Sequence, residues 1–442
     1  SQMKNHLSDT KTYEKVALFP QLTITNDLYT IVNTFRAVIG NKDSKILLDS
    51  ISSHTENLVP DIYLIPKIHK TPVKTRPVVP EHSSITRTVS KFMDNILRPL
   101  VYKHDWILKG TGDLINTLEN TKIDLQDPVI LSGDIVSMYT SLHTMHGIAL
   151  ITKIMIKEQF TQDKIRCYQS LLKWIFKNNF FHYKGTLYRQ KHGAAMGSSC
   201  IPNFANLVMA HIESTKILSK IPELPMPIYR RLIDDTLMVV EKQHVNQWKS
   251  IFIEATSPYL DWTFDSSESS ESVPMLDLDI FFGQKYQTYK KIDFIGYKKP
   301  FNNNLYTAPD SHCPDHYKFS WITGENIRLI RNNSNVEQYN IQLEEYVNNL
   351  HTRGYDSNVV LKHLRHKFSD RPYLLHPKER SSPDMVPILL PNIAGYEHLT
   401  EAIRIYLDLT KSTFSIPHMT PIILRGTTLE SLTNQSNRTI LS

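Results

Sequence analysis

A chain of 442 residues has room for two or three lobes, each with its own core, and is too long to be one small binding module. Hydrophobic residues make up 40% and charged residues 21% of it, and no run of about 18 apolar residues occurs, which excludes a membrane-spanning helix. Fifty Lys and Arg against 44 Asp and Glu leave a formal charge of +6, a mild excess compatible with a polyanionic partner. Only Cys167, Cys200 and Cys313 carry thiols, with no Cys-x-x-Cys pairing, so neither a disulfide framework nor a Cys-rich zinc site is expected. The first residues, Ser1-Gln-Met-Lys-Asn-His6, have no apolar core of signal-peptide type, so the expected compartment is intracellular and reducing.

In chain order, residues 62–66 and 77–79 read as short strands around a basic loop, 67–76, with Pro72 and Pro77 restricting its backbone. Val89, Phe92, Met93, Ile96, Leu97 and Leu100 recur at helical spacing, and 129–136 reads as a buried strand. A helix is expected over 165–176, followed by a hairpin turning at Lys184-Gly185. The stretch Gly193-Ala-Ala-Met-Gly-Ser-Ser-Cys-Ile-Pro202 is small and almost uncharged, and gives way to a helical pattern from Asn203 to about Leu218. Such a loop lets backbone approach a ligand closely, and is also a common connection.

Two apolar-flanked runs, 228–233 and 236–240, then meet at Asp234-Asp235, where a hairpin would turn. Adjacent like charges cost free energy unless cations neutralise them, so the pair invites a metal site; Asp is equally at home in a solvated turn, and the pair alone leaves both readings open. Residues 265–272 read as an acidic serine loop, 275–282 as one alternating strand and 285–299 as a Lys- and Tyr-rich hairpin. Val336, Tyr339, Leu343, Tyr346, Val347 and Leu350 form a helix stripe stopped at Arg353-Gly354. Val359, Val360, Leu361, Leu364 and Phe368 form another, whose exposed faces carry Lys362, His363, Arg365, His366 and Lys367 and suit either a phosphate backbone or plain solvent.

A strand ending in Asp134, a Gly-Ser loop leading into a helix and an Asp-Asp hairpin, in that order, are the parts of a polymerase palm. The series Ile62-Tyr-Leu-Ile-Pro-Lys-Ile-His-Lys70 with Arg76-Pro-Val-Val79, Ser132-Gly-Asp-Ile-Val-Ser-Met-Tyr139, Gly193-Ala-Ala-Met-Gly197, Arg231-Leu-Ile-Asp-Asp235 and Met275-Leu-Asp-Leu278 resembles the ordered motifs of reverse transcriptases, in particular those of Penelope-like retroelements. Tyr297-Lys-Lys-Pro300, Ser311-His-Cys-Pro314, Gly324-Glu-Asn-Ile-Arg328 and Arg353-Gly-Tyr355 continue the likeness, which spans roughly residues 60–425.

The resemblance implies an α+β right-hand polymerase fold of fingers, palm and thumb with an antiparallel palm sheet. Its expected parts are an N-terminal extension (1–60), fingers with the start of the palm (61–128), palm (129–300, with an inserted fingers segment near 160–195), a helical thumb (301–375) and a C-terminal extension (376–442). The implied activity is RNA-directed DNA synthesis from an RNA template, a DNA primer and dNTPs, with Mg²⁺ as cofactor and Mn²⁺ taken by the same oxygen ligands. Phosphoryl transfer needs metal ions to neutralise the triphosphate and lower the pKa of the attacking hydroxyl. By resemblance Asp134 and Asp234 would bridge them, Ile135 is a further metal-contacting position, and Asp235 is the supporting carboxylate. Asp277 and Asp279, alternating along one strand, form a weaker rival pair, and Asp277 matches a structural motif.

By the same resemblance Tyr139, five residues after Asp134, would be the aromatic set against the incoming sugar, where a ring would clash with a ribose 2′-hydroxyl; a core aromatic is the other reading, and periodicity alone leaves it open. Lys67 and Arg76 would contact the triphosphate as point charge and bidentate fork. Met196-Gly197 would line the floor beneath the nucleotide. Lys298 falls in the hairpin that supports the primer end, and Lys362 and Arg365 on a thumb that grips the duplex by shape and backbone. Arg231-Leu232 stands where the family more often has Arg-Tyr, and 421–427 matches the basic C-terminal segment only loosely. The sequence contains no GIY-YIG endonuclease pattern, so the expectation is polymerisation without target cleavage, in the nucleus. A catalytically inactive, domesticated nucleic-acid scaffold and an RNA-directed RNA polymerase are the alternatives; the three carboxylates argue against the first and Tyr139 against the second.

Overall fold

The computed structural model describes residues 2–52, 59–68, 72–299, 302, 304–313 and 315–376, and two later strands. Residues 69–71 of the basic loop, Pro300 and Pro314 of the downstream motifs, and residues 425–427 lie outside the described residues. The strands, in chain order, are β1 (Tyr13–Lys15), β2 (Tyr63–Lys67), β3 (Lys74–Val78), β4 (Pro128–Ile135), β5 (Phe180–Tyr183), β6 (Thr186–Gln190), β7 (Ile228–Leu232), β8 (Asp235–Glu241), β9 (Trp262–Ser266), β10 (Val273–Met275), β11 (Leu278–Phe281), β12 (Asp293–Gly296), β13 (Val386–Pro391) and β14 (Met419–Leu424). The chain divides into two units, Ser1–Arg371 and Pro372–Ser442. In the second, β13 and β14 pair in parallel. Among the described residues no helix is long and apolar enough to cross a membrane.

The central sheet has the order β7-β8-β4-β9, antiparallel throughout. Val129 and Leu131 of β4 and Met238 and Val240 of β8 pack with Trp248 and Phe252 from the helix Val245–Thr256. Ile130, Leu237 and Val239, which alternate with them, are fully buried as well. A sheet covered on both faces demands near-continuous apolar strands. In β4 and β8 charge falls only at the strand ends, and there Asp134 and Asp235 reach the surface. The architecture is α+β, and every ladder between strands of the first unit is antiparallel, as expected for a palm-type sheet.

Beside this sheet lies a helical layer. Met93 and Leu97 of Arg87–Val101, Leu171 and Ile175 of Gln162–Lys177, and Phe204 and Val208 of Ile201–Ile212 share one core with Ile24, Leu28 and Val32 of Gln21–Thr34. The segment expected as an N-terminal extension thus contributes to this core. The described residues before 53 are built into the body: Trp174 Nε1 donates to the Ile24 carbonyl at 3.1 Å, and β1 pairs with β6 of the hairpin that turns at Lys184-Gly185.

Three other expectations are corrected. The strand expected over 275–282 is a hairpin, β10 and β11, because Leu276 adopts a left-handed φ of 55°. Asp277 thus sits in the turn rather than one strand face from Asp279, and its carbonyl accepts the Tyr297 N–H at 2.8 Å. The hairpin expected over 285–299 contains the helix Gln284–Tyr289 before β12. Its start is fixed by Asp293, whose buried Oδ2 accepts the Lys285 N–H at 2.8 Å. The basic helix expected over 359–368 runs only from Ser357 to His363. Thr323 and Asn326, from the helix Asp315–Asn332, donate to the carbonyls of His363 and His366 at 2.8 and 2.9 Å and hold that segment in another path.

Candidate active site

The register of β4 against β8 places Asp134 directly opposite Asp235, and directly opposed residues share a face. Asp234 belongs to the two-residue turn that joins β7 to β8, where Leu232 pairs with Asp235. The Ile135 N–H donates to the Asp234 carbonyl at 3.1 Å, tying the turn to the end of β4. Asp134 thus meets the Asp234-Asp235 pair, distant from it in sequence, at one end of the sheet. On the opposite face Gly133 makes room for its cross-strand neighbours: a Cβ there would sit 2.7 Å from Thr236 Oγ1, which instead donates to the Gly133 carbonyl at 3.0 Å.

The charges interact. Asp235 has its pKa raised to about 6, first by burial and then by the charges of Asp234 and Asp134. Among the described residues no group of three or more His, Cys, Asp or Glu could by itself hold a metal ion. Mg²⁺ needs no such cage, since it takes one or two carboxylates and completes its octahedron with water and phosphate oxygens. An open, all-oxygen set of mutually repelling carboxylates fits Mg²⁺ or Mn²⁺. Ile135 can contribute only through its main chain, because its side chain is buried in the helical core.

The turn itself is strained and held. Ile233 has a φ of 57°, in the left-handed region where a β-branched residue is an outlier. Its carbonyl accepts Arg231 Nη1 at 2.9 Å. Arg231 is wholly buried; it donates further to Asn206 Oδ1 at 2.7 Å, to the Asn206 carbonyl at 3.1 Å, and through Nε and Nη2 to both oxygens of Glu213. Glu213, equally buried, also accepts the Tyr229 hydroxyl at 2.6 Å and Trp106 Nε1 at 2.7 Å. It opens a π-helical turn, Glu213–Ile217, that continues the helix Ile201–Ile212. Sequence reading noted Arg231 only as part of a motif and missed Glu213; the available signal was an arginine inside a run whose neighbours are apolar.

Tyr139 lies in the short helix Met138–Ser141, half-buried, with its hydroxyl pushed up to about 12 by burial and the Asp234 charge and opposed by Arg76. Tyr139, Asp234 and Arg76 are therefore grouped. The Gly-Ser loop docks on them. The Ala194 N–H donates to the Tyr139 carbonyl at 2.7 Å, and the Val79 N–H to the Met196 carbonyl at 2.9 Å. Glu81, another residue missed from sequence, accepts from Ser198 Oγ at 2.8 Å and from the Ser199 N–H at 2.7 Å. Gly197 has a φ of +114°, and a Cβ there would meet the Val79 carbonyl oxygen at 2.3 Å. Gly197→Ala should cost about 1–3 kcal/mol, read from denaturant unfolding; unchanged stability would mean that the loop does not dock.

Lys67 and Arg76 stand on strands, not in the loop expected from sequence. β2 and β3 pair Ile65 with Arg76 and Lys67 with Lys74, so Lys67, Arg76 and the unforeseen Lys74 share one face. Like charges directly opposed are unfavourable without an anion between them. Lys298 pairs with Glu345 and lines a separate cavity of about 920 Å³ with Asp277, Arg328 and Tyr346. Lys362 occupies the last turn of Ser357–His363, while Arg365 lies beyond it and donates through Nε to the Lys362 carbonyl at 3.3 Å. Both are exposed, and they do not form the shared helix face expected of them.

No family model matches the chain, and no curated protein sequence matches it. Among solved structures it is similar to a telomerase from Candida albicans in complex with a TWJ fragment of telomeric RNA, at 12% identity and a TM-score of 0.49 over 89% of this chain and 71% of that one. It is similar to an apo telomerase from Candida tropicalis truncated of its C-terminal domain, at 16% identity and a TM-score of 0.38 over 55% of this chain. It is similar also to an insertion-loop deletion mutant of the RNA-dependent RNA polymerase of a human picobirnavirus, at 11% identity and a TM-score of 0.45 over 72% of this chain. The chain spans 58% of the Candida tropicalis chain and 61% of the viral one.

Proposed function

We propose that this chain is an RNA-directed DNA polymerase of the Penelope-like type, transferring dNTPs to a primer 3′-hydroxyl. The observation that carries the reading is the register that sets Asp134 against Asp235, with Asp234 in the adjoining turn. Bound divalent ions would neutralise the triphosphate and acidify the attacking hydroxyl. Asp134 and Asp234 would hold them, with the Ile135 main chain as a further contact. Asp235 supports from the neighbouring strand. The face shared by Lys67, Lys74 and Arg76 receives the triphosphate, which relieves the repulsion among these cations. The Met196-Gly197 backbone forms the floor under the nucleotide. Lys298, released from Glu345, and Lys362 and Arg365 contact the primer–template backbone.

Tyr139 closes the sugar side. Tyr139→Ala should raise ribonucleotide incorporation relative to deoxyribonucleotide by about tenfold or more, since a ring set against a 2′-hydroxyl discriminates by steric exclusion. An unchanged ratio in competitive extension would remove this role. The type of polymerase is tested by supplying the purified chain and Mg²⁺ with an RNA template and annealed DNA primer, and either dNTPs or rNTPs. Extension with dNTPs is expected. Extension with rNTPs in preference would make the chain an RNA polymerase instead.

A further inference from the structure

The Lys- and Tyr-rich segment that follows β11 takes no part in the carboxylate site, and it builds a second feature. A cleft of about 700 Å³ is lined by Lys122, Lys285, Lys290, Lys291 and Arg371, with Glu119 its lone carboxylate. That carboxylate is engaged by Arg371 and lies 3.8 Å from Lys285 Nζ. Arg371 is also committed to the carbonyls of Ile330 and Arg331, at 3.0 and 3.1 Å, near the end of the helix Asp315–Asn332. Lys122, Lys290 and Lys291 have no carboxylate partner among the described residues. Burial lowers the pKa of Lys285, against the opposing charge of Glu119.

The same segment supplies an aromatic surface. Tyr289 is 63% exposed and lines the cleft, and Lys290 Nζ lies 4.8 Å from the ring centre of Tyr286. The helix Gln284–Tyr289 that presents them is pinned from below by Asp293. Cations around a concavity with a projecting ring are what an unpaired strand requires: phosphates neutralise the lysines, and a base stacks on the ring. A duplex, whose bases are already stacked, has no use for Tyr289, and an acidic peptide has none for a stacking platform.

We propose that this cleft is a second nucleic-acid site that holds single-stranded RNA outside the polymerising centre, a strand reaching it through Lys122, Lys290, Lys291 and Tyr289. The inference rests on the proposed function only for the strand's identity as RNA. It is tested by fluorescence anisotropy with a labelled oligouridine of about 20 nucleotides, long enough for one such groove. Binding is read without divalent ions or nucleotides, in the presence of saturating unlabelled blunt RNA–DNA hybrid.

Wild type should bind the oligouridine under these conditions. The triple variant Lys122→Glu, Lys290→Glu, Lys291→Glu should lose about tenfold or more in affinity, with the salt slope falling by about two, at roughly 0.7 per lost phosphate contact. Tyr289→Ala, at an exposed position that leaves the fold intact, should weaken binding by about fivefold or more. Unchanged affinity and slope in both variants, or complete displacement of the oligouridine by hybrid, would overturn the proposal. Because no nucleotide is incorporated in this measurement, failure of the polymerase reading would leave its result standing.

Discussion

Arg231→Met is expected to destabilise the first unit by about 3–5 kcal/mol, because it strands the Glu213 carboxylate in the interior without its charge partner. Both side chains are fully buried, so neither water nor salt can replace what is lost. Methionine fills much of the arginine volume and makes none of its hydrogen bonds. Denaturant unfolding followed by intrinsic fluorescence is the direct readout, with Trp106 Nε1 itself bonded to Glu213. A loss under about 0.5 kcal/mol, the range of ordinary surface substitutions, would contradict the account. Adding Glu213→Leu should restore only part of the loss: it removes the stranded charge and leaves the Tyr229 hydroxyl and Trp106 indole without their acceptor.

The same substitution acts on the site. Arg231 is the donor to the Ile233 carbonyl, and Ile233 sits at a φ of 57° that its branched side chain disfavours. Without that donor the turn is free to relax and carry Asp234 away from Asp134. The buried ion pair is thus better understood as fixing a strained turn than as a source of net stability, which such pairs supply poorly.

The parts that sequence made legible are those governed by local pattern or motif order. The apolar strands on either side of Asp234-Asp235, the hairpin at Lys184-Gly185 and the loop at 193–202 follow from residues adjacent in the chain, and the structure joins them as expected. What sequence missed depends on distant partners. The alternation of 275–282 gives no sign that Leu276 will turn the chain, since it lacks the Gly or Asn that usually marks such a position. The helix Gln284–Tyr289 is started by Asp293, a residue that follows it in the chain. The basic stripe after Val359 stops being helical because Thr323 and Asn326 take its carbonyls. Residues before 60 carry no recognisable motif, yet the fourfold spacing of Ile24, Leu28 and Val32 marks a buried helix face.

At the site, Asp134, Asp234, Tyr139 and Arg76 were all legible through the order of their motifs, and the structure brings them within electrostatic reach. Lys74 was not, because its place beside Lys67 and Arg76 depends on the strand register. Glu213 and Glu81 were hidden for a related reason. Each is a carboxylate in a helical or loop segment whose partners come from elsewhere, and burial of a charge cannot be read from its neighbours in sequence.

The central claim is that Asp234 serves metal-assisted nucleotide transfer, and Asp234→Asn tests it with little disturbance to the fold. Asparagine keeps the size of the side chain, and the bond that ties the turn to β4 uses the backbone carbonyl of residue 234, which the substitution leaves in place. What disappears is one negative charge and one hard oxygen ligand. The measurement is the rate of primer extension by purified wild type and Asp234→Asn on an RNA template with a DNA primer, dNTPs and Mg²⁺. Wild type should extend the primer, and the variant should be slower by about a thousandfold or more, the scale on which loss of preorganised charge stabilisation acts. Equal rates for the two proteins, or no extension by wild type with either Mg²⁺ or Mn²⁺, would contradict the account.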